Sequence, residues 1–255
     1  DEASVTRRWR VDCGARDLAG AAVAVRGLDT AQAPALVRIV LADGRVVQGV
    51  VTARVPELVI PAAPERPTVL RDYLRLGVEH ILSGADHVLF VLGLCLLARG
   101  GRRLAATVTA FTLGHSITLA LVVRDVLRVP AAPVELAIAL SVFLVAAESA
   151  HRRPTRLGRA PWAMAGGFGL LHGLGFAAAL RTAGLPSGEV PAALVAFNVG
   201  VEAGQLLVVA AVLLARAAVE RAPIAWPAWV RWAPAYAMGS IAALWCFERA
   251  AALVG

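Results

Sequence analysis

Residues 190–216 read VPAALVAFNVGVEAGQLLVVAAVLLAR. Between Val190 and Arg216 the one charged side chain is Glu202. A run of this length and apolarity is what an α-helix needs to cross about 30 Å of hydrocarbon. In lipid every backbone N–H and C=O must find a partner within the segment, which selects helix over open strand. The polar residues are also ordered. Asn198, Glu202 and Gln205 recur at spacings of four and three, one stripe along a helix. Gly200 and Gly204 lie beside that stripe and allow a second helix to approach closely.

The whole chain has the same character. Of 255 residues, 58% are hydrophobic and 17% charged, and the mean hydropathy is +0.69. A water-soluble domain is about 45–50% apolar and about 25% charged. This composition excludes a disordered chain, a collagen-like rod and an ordinary soluble enzyme. The formal net charge is +7, and all 25 basic residues are Arg. In a membrane protein such an excess reflects cytoplasmic loops, not a nucleic-acid partner. Cys13, Cys95 and Cys246 form no Cys-x-x-Cys pair, which argues against a disulfide framework or a thiolate zinc site.

Outward from the quoted run, apolar segments fall near 72–98, 104–124, 131–151, 160–181, 190–216 and 229–252. They predict an all-α polytopic bundle of about six transmembrane helices over residues 71–255. Residues 1–70 read differently. Val5–Val11 and Ala21–Val25 are short candidate strands. Val37–Leu41 and Arg45–Thr52 flank Ala42-Asp43-Gly44 and predict a hairpin. Pro61, Pro64 and Pro67 mark a stiff linker closing this small β domain.

Alternate loops differ in Arg content. One set carries Arg99, Arg102 and Arg103, then Arg152, Arg153, Arg156 and Arg159, then Arg216, Arg221 and Arg231. The other carries Arg124 and Arg128, then Arg181. The positive-inside rule makes the first set cytoplasmic. The β domain and both termini are then expected outside a bacterial inner membrane. A chain opening Asp1-Glu2-Ala3 fits a mature protein whose signal peptide has been removed. Trp162, Trp226, Trp229 and Trp232 fall at the predicted cytoplasmic interface, as an aromatic belt does.

Ionisable groups inside a bilayer are costly and mark function. The first segment carries His80, Ser83, Asp86 and His87, with His80, Ser83 and His87 on one helical face. In a straight helix His80 and His87 stand roughly 10.5 Å apart along the axis, long for one metal ion unless Gly84 permits a kink. Asp86 lies off that face, placed to hold a histidine tautomer. The second segment adds Thr109, Thr112, His115, Ser116 and Thr118, the third Glu135, Ser141 and Glu148, the fourth His172 in a Gly-rich run. Single hydroxyls in membrane helices commonly bond their own backbone. The mid-membrane histidines with Asp86 and Glu202 form a different kind of set. Imidazole and carboxylate without thiolate suit a borderline divalent ion such as Ni²⁺, Co²⁺, Zn²⁺ or Cu²⁺. The donor types do not choose among them.

Five stretches together resemble the motifs of the HupE/UreJ family of membrane proteins: Gly77–Phe90 (GVEHILSGADHVLF), Phe111–Leu119 (FTLGHSITL), Val134–Ser141 (VELAIALS), Gly169–Ala177 (GLLHGLGFA) and Phe197–Gln205 (FNVGVEAGQ). They occur in the family's order across the membrane domain. The β segment is similar to a shortened extracytoplasmic part of longer members. The family is linked to hydrogenase and urease gene clusters, and its members are regarded as nickel permeases. Its first motif, His-x5-Asp-His, is similar to the His-x4-Asp-His of the nickel/cobalt transporters, and implicates His80, Asp86 and His87. Ser149 follows Glu148 where many members have Asn.

Three functions follow. The first is a permease for a divalent metal, nickel first and zinc or cobalt next. His80, Asp86, His87, His115, His172 and Glu202 would form its site, supported by Thr112, Glu135, Ser141, Asn198 and Gln205. The second is an intramembrane zinc hydrolase acting on a lipid or membrane peptide. There Glu202 would be general base, and Ser83 or Ser116 would steady an oxyanion. The third is a module whose β domain docks a protein partner through an exposed strand edge. The chain has no Gly-x4-Gly-Lys-[Ser/Thr] loop, which argues against ATP-driven pumping by this chain alone.

Overall fold

A computed structural model of the chain describes residues 7–14, 18–28, 35–42, 45–62, 66–98, 100–151, 155–183, 189–224 and 226–254. Contacts divide the chain into two compact units, Asp1–Glu65 and Arg66–Gly255.

The first unit is β. Strands β1 (Ala22–Ala24), β2 (Ala35–Val40), β3 (Val46–Val51) and β4 (Glu57–Val59) form two antiparallel pairs. β2 pairs with β3 in a register set by Val37 opposite Gly49 and Ile39 opposite Val47. That is the predicted hairpin, although its Asp43-Gly44 turn lies outside the described residues. β1 pairs with β4, Val23 opposite Leu58, and Ile60 extends the ladder to Ala21. β4 was not expected, because the four residues between Pro56 and Pro61 show no alternation to read. The candidate strand Val5–Val11 is a correction. Residues 7–11, its described part, form no strand.

The second unit is helical. Its elements are α1 (Arg66–Ser83), α2 (Ala85–Leu97), α3 (Gly101–Val123), α4 (Ala131–Ala150), the short α5 (Arg156–Arg159), α6 (Pro161–Ala183), α7 (Val190–Arg221) and α8 (Ala233–Val254). A single-turn 3-10 helix at Ala228–Arg231 precedes α8. α1 starts at Arg66, inside the predicted linker, because proline suits a first helical turn, where its missing N–H is not needed. Among the described residues α3, α4 and α7 are each long and apolar enough to cross a membrane. α1 and α2 together make a fourth candidate, bent by 75°. α6 and α8 occupy the places of the remaining predicted segments, with 23 and 22 residues. α6 is glycine-rich, and α8 carries Glu248 and Arg249. The chain is therefore a helical membrane bundle with a small N-terminal β region.

The straight first helix over 72–98 is also corrected. It breaks at Gly84, which caps α2 in an extended conformation (φ −81°, ψ 101°). The break carries His80 on one helix and His87 on the next.

The bundle packs in pairs: α3 on α6, α1 on α7 and α4 on α8, with α2 against α3, α4 and α7. Glycine sets the closeness of two of these pairs. A Cβ on Gly77 of α1 would meet the Phe197 carbonyl of α7, and one on Gly200 of α7 would meet the Leu74 carbonyl. Between α3 and α6, Gly114 faces the Gly166 carbonyl and Gly169 faces the Phe111 carbonyl. Backbones this close gain dispersion energy that lipid cannot supply. The interior holds Ile81, Phe90, Leu94, Phe111, Leu119, Val142 and Phe197. The outer surface is apolar too, with Leu113, Ile117, Val195, Val199, Leu214 and Phe247 exposed, as a bilayer solvent requires.

Candidate metal centre

Four histidines converge at the centre of the helical unit. His80 comes from the end of α1, His87 from the first turn of α2, His115 from α3 and His172 from α6. The bend at Gly84 brings the His80 and His87 rings to 4.5 Å between centroids. His115 lies 5.9 Å from His80 and 6.4 Å from His87, and His172 lies 5.0 Å from His87. His80, His87 and His115 each offer one ring nitrogen, and these three atoms all lie within 4.8 Å of one another. This buried group could hold a metal ion.

Hydrogen bonding points the same way. A buried polar atom normally has a partner. Here His80 Nε2, both nitrogens of His87, both of His115 and Nδ1 of His172 are buried without one. Apolar rings line the cluster: Phe176 lies tilted against His80 at 3.9 Å between centroids, and Phe90 and Phe111 each lie 5.1 Å from His172. Phe197 completes the wall, 5.7 Å from His80 and stacked on Phe176. Six unpartnered imidazole nitrogens in such a box are costly unless a ligand or cation uses them. A metal–nitrogen bond of about 2.0–2.1 Å requires the rings to close slightly around an ion.

His172 has a side-chain anchor. Its Nε2 lies 3.0 Å from Ser141 Oγ, whose hydroxyl donates to the Ile138 carbonyl at 2.6 Å. Ser141 thus serves as the outer support of an inner ring.

The remaining predicted site residues lie elsewhere. Asp86 points away from the cluster and pairs with Arg249 at 2.8 Å. Glu202 accepts a hydrogen bond from Thr109 Oγ1 at 2.7 Å. It lines a groove of about 690 Å³ between α3 and α7, with Thr112, Ser116 and Asn198. Neither carboxylate belongs to the three-histidine group. Thr112 donates to Gln205 Oε1 at 2.8 Å, which leaves the Gln205 Nε2 unpartnered and buried. Asn198 donates to the Leu194 carbonyl at 2.8 Å. Ser83 and Ser116 donate to the carbonyls of Glu79 and Thr112, both at 2.6 Å. Glu135 is exposed near the start of α4, and its backbone carbonyl accepts from Arg249.

Two features escaped the sequence reading. One is the phenylalanine box, although Phe90, Phe111 and Phe176 stand three or four residues from His87, His115 and His172, a same-face spacing. The other is Arg249, whose partner lies 163 residues away and leaves no local signal.

Residues 57–249 match the family model described as HupE / UreJ protein. The chain belongs to the HupE/UreJ family, which is associated with nickel and cobalt uptake. No curated protein and no solved structure matches it.

Proposed function

We propose that this chain is a permease for a divalent transition metal, with Ni²⁺ as its cargo. The observation that carries the reading is the set of unpartnered ring nitrogens of His80, His87 and His115, gathered within 4.8 Å inside a membrane bundle. Imidazole without thiolate binds borderline ions. A cargo site must also release its ion, and three neutral ligands hold a dication less firmly than a thiolate cage. Family membership supports the same cargo. His172 is the candidate fourth ligand. Glu202, beside the groove between α3 and α7, is the candidate carboxylate on the approach. The Arg distribution supports an inner-membrane protein with the Arg-rich loops cytoplasmic and the β unit outside.

Three histidines with an open position are also the donor set of a catalytic zinc site. Against a hydrolase stand Ser83 and Ser116, whose protons are engaged by their own backbone. Glu202 is held by Thr109.

The test is uptake. The full chain, reconstituted in liposomes enclosing a Ni²⁺-sensitive dye, should admit Ni²⁺, and His115→Ala should not. A protein that carries about one zinc per chain on purification, and admits no metal, is a hydrolase instead.

A further inference from the structure

Asp86 immediately precedes His87 in the first turn of α2, yet it faces Arg249. That guanidinium makes three contacts. Its Nη2 donates to Asp86 Oδ2 at 2.8 Å, and its Nη1 donates to the Glu135 carbonyl at 2.8 Å. It also lies 5.7 Å over the Trp245 ring. The two charged side chains are only 24% and 21% exposed. One arginine therefore clasps α2, α4 and α8 together.

The clasp holds the residue next to His87, in the same first turn of α2. A guanidinium does not shed its proton. Charges in a low-dielectric interior interact far more strongly than in water. A bare cation at this place would repel a metal dication from the cluster. The Asp86 carboxylate neutralises it.

We propose, resting on the metal-site reading above, that Asp86 acts on that site by cancelling the charge of Arg249. It is the counter-charge that allows a cationic clasp beside a cation-binding cluster, and it is not a ligand. Asp86 is in this sense a positioning residue for charge. Its loss leaves the site facing a bare cation only while Arg249 is present.

The experiment is calorimetric titration of Ni²⁺ into the detergent-solubilised full chain. Wild type is compared with Asp86→Asn, Arg249→Gln and the double variant, with thermal melts alongside. Asp86→Asn should weaken binding by about tenfold or more, the range seen for outer support of a metal site. The double variant should bind more tightly than Asp86→Asn. It should also recover most of the wild-type affinity, because the clasp again carries no net charge. A double variant as weak as Asp86→Asn makes Asp86 a ligand and overturns the proposal. Should Asp86→Asn alone fail to fold, the comparison of wild type with the double variant decides. A large loss there overturns the proposal, and near-equal affinities sustain it. A wild type that binds no Ni²⁺ overturns the metal-site reading as well.

Discussion

Ser141 accepts a hydrogen bond from His172. The hydroxyl has one proton, and the 2.6 Å contact to the Ile138 carbonyl uses it. The 3.0 Å contact to His172 Nε2 then requires an N–H on the imidazole. A neutral ring protonated at Nε2 has its lone pair at Nδ1, the buried atom with no partner. Ser141→Ala should release that tautomer and weaken Ni²⁺ binding by about tenfold or more. Nitrogen NMR of labelled histidine reads the tautomer directly. Unchanged spectra and affinity would detach His172 from the site.

The Gly84 bend is filled by a histidine ring. A Cβ built on Gly84 lies 2.7 Å from His87 Nδ1 and 2.9 Å from the His80 carbonyl. The backbone angles there suit alanine, so the crowding falls on the ring and on the His80 carbonyl. Gly84→Ala should sharply reduce Ni²⁺ affinity while helical circular dichroism stays near wild type. Full affinity would show that His87 does not depend on that space.

Close packing of α3 on α6 makes a stability claim. A side chain on Gly169 meets the Phe111 carbonyl and, at 3.1 Å, the His115 amide nitrogen. Backbone cannot step aside as a side-chain tip can. Gly169→Val should destabilise the bundle by about 1–3 kcal/mol or more, read as a lower melting temperature in detergent. An unshifted melt would mean the two helices are further apart.

Glu148 is explained by local hydrogen bonding. Its two oxygens accept from the Thr155 amide at 2.8 Å and the Thr155 hydroxyl at 2.7 Å. This ties the end of α4 to the start of α5. Glu148→Ala removes a charged acceptor from both bonds, at a cost of about 1.5–3 kcal/mol. Ni²⁺ affinity should hold while the melting temperature falls, and a large loss of affinity would bring Glu148 into the site.

Orientation is open to a chemical test. A single cysteine at position 157, in a background lacking Cys13, Cys95 and Cys246, sits in the loop with Arg152, Arg153, Arg156 and Arg159. In intact cells it should resist a membrane-impermeant maleimide until the membrane is broken. Prompt labelling would invert the topology.

Much of this was legible from residue types and spacing. The stripe of Asn198, Glu202 and Gln205 marks a membrane helix, and hydrogen bonds do join Glu202 and Gln205 to Thr109 and Thr112 on α3. Gly169 and Gly200 announced close helix pairs, because only a missing side chain permits that approach. The angle at Gly84 was not readable, since glycine permits a break without fixing its direction. Tertiary packing fixes it. Asp86 shows the deeper limit. Its place beside His87 in sequence suggests ligation, but the partner that decides its role stands at the far end of the chain. Backbone-bonded serines have the opposite lesson: a hydroxyl in a motif is first a donor to the carbonyl one turn before it.

The 75° break has one more consequence. His80 travels with α1, which is locked to α7 through Gly77 and Gly200, whereas His87 travels with α2. An ion held by both rings would be a staple across this bend. Any widening of the angle would withdraw one ligand without melting either helix, so the grip on the ion and the posture of the helices would become a single mechanical variable. Whatever pushes α1 and α7 away from α2 also pulls the staple.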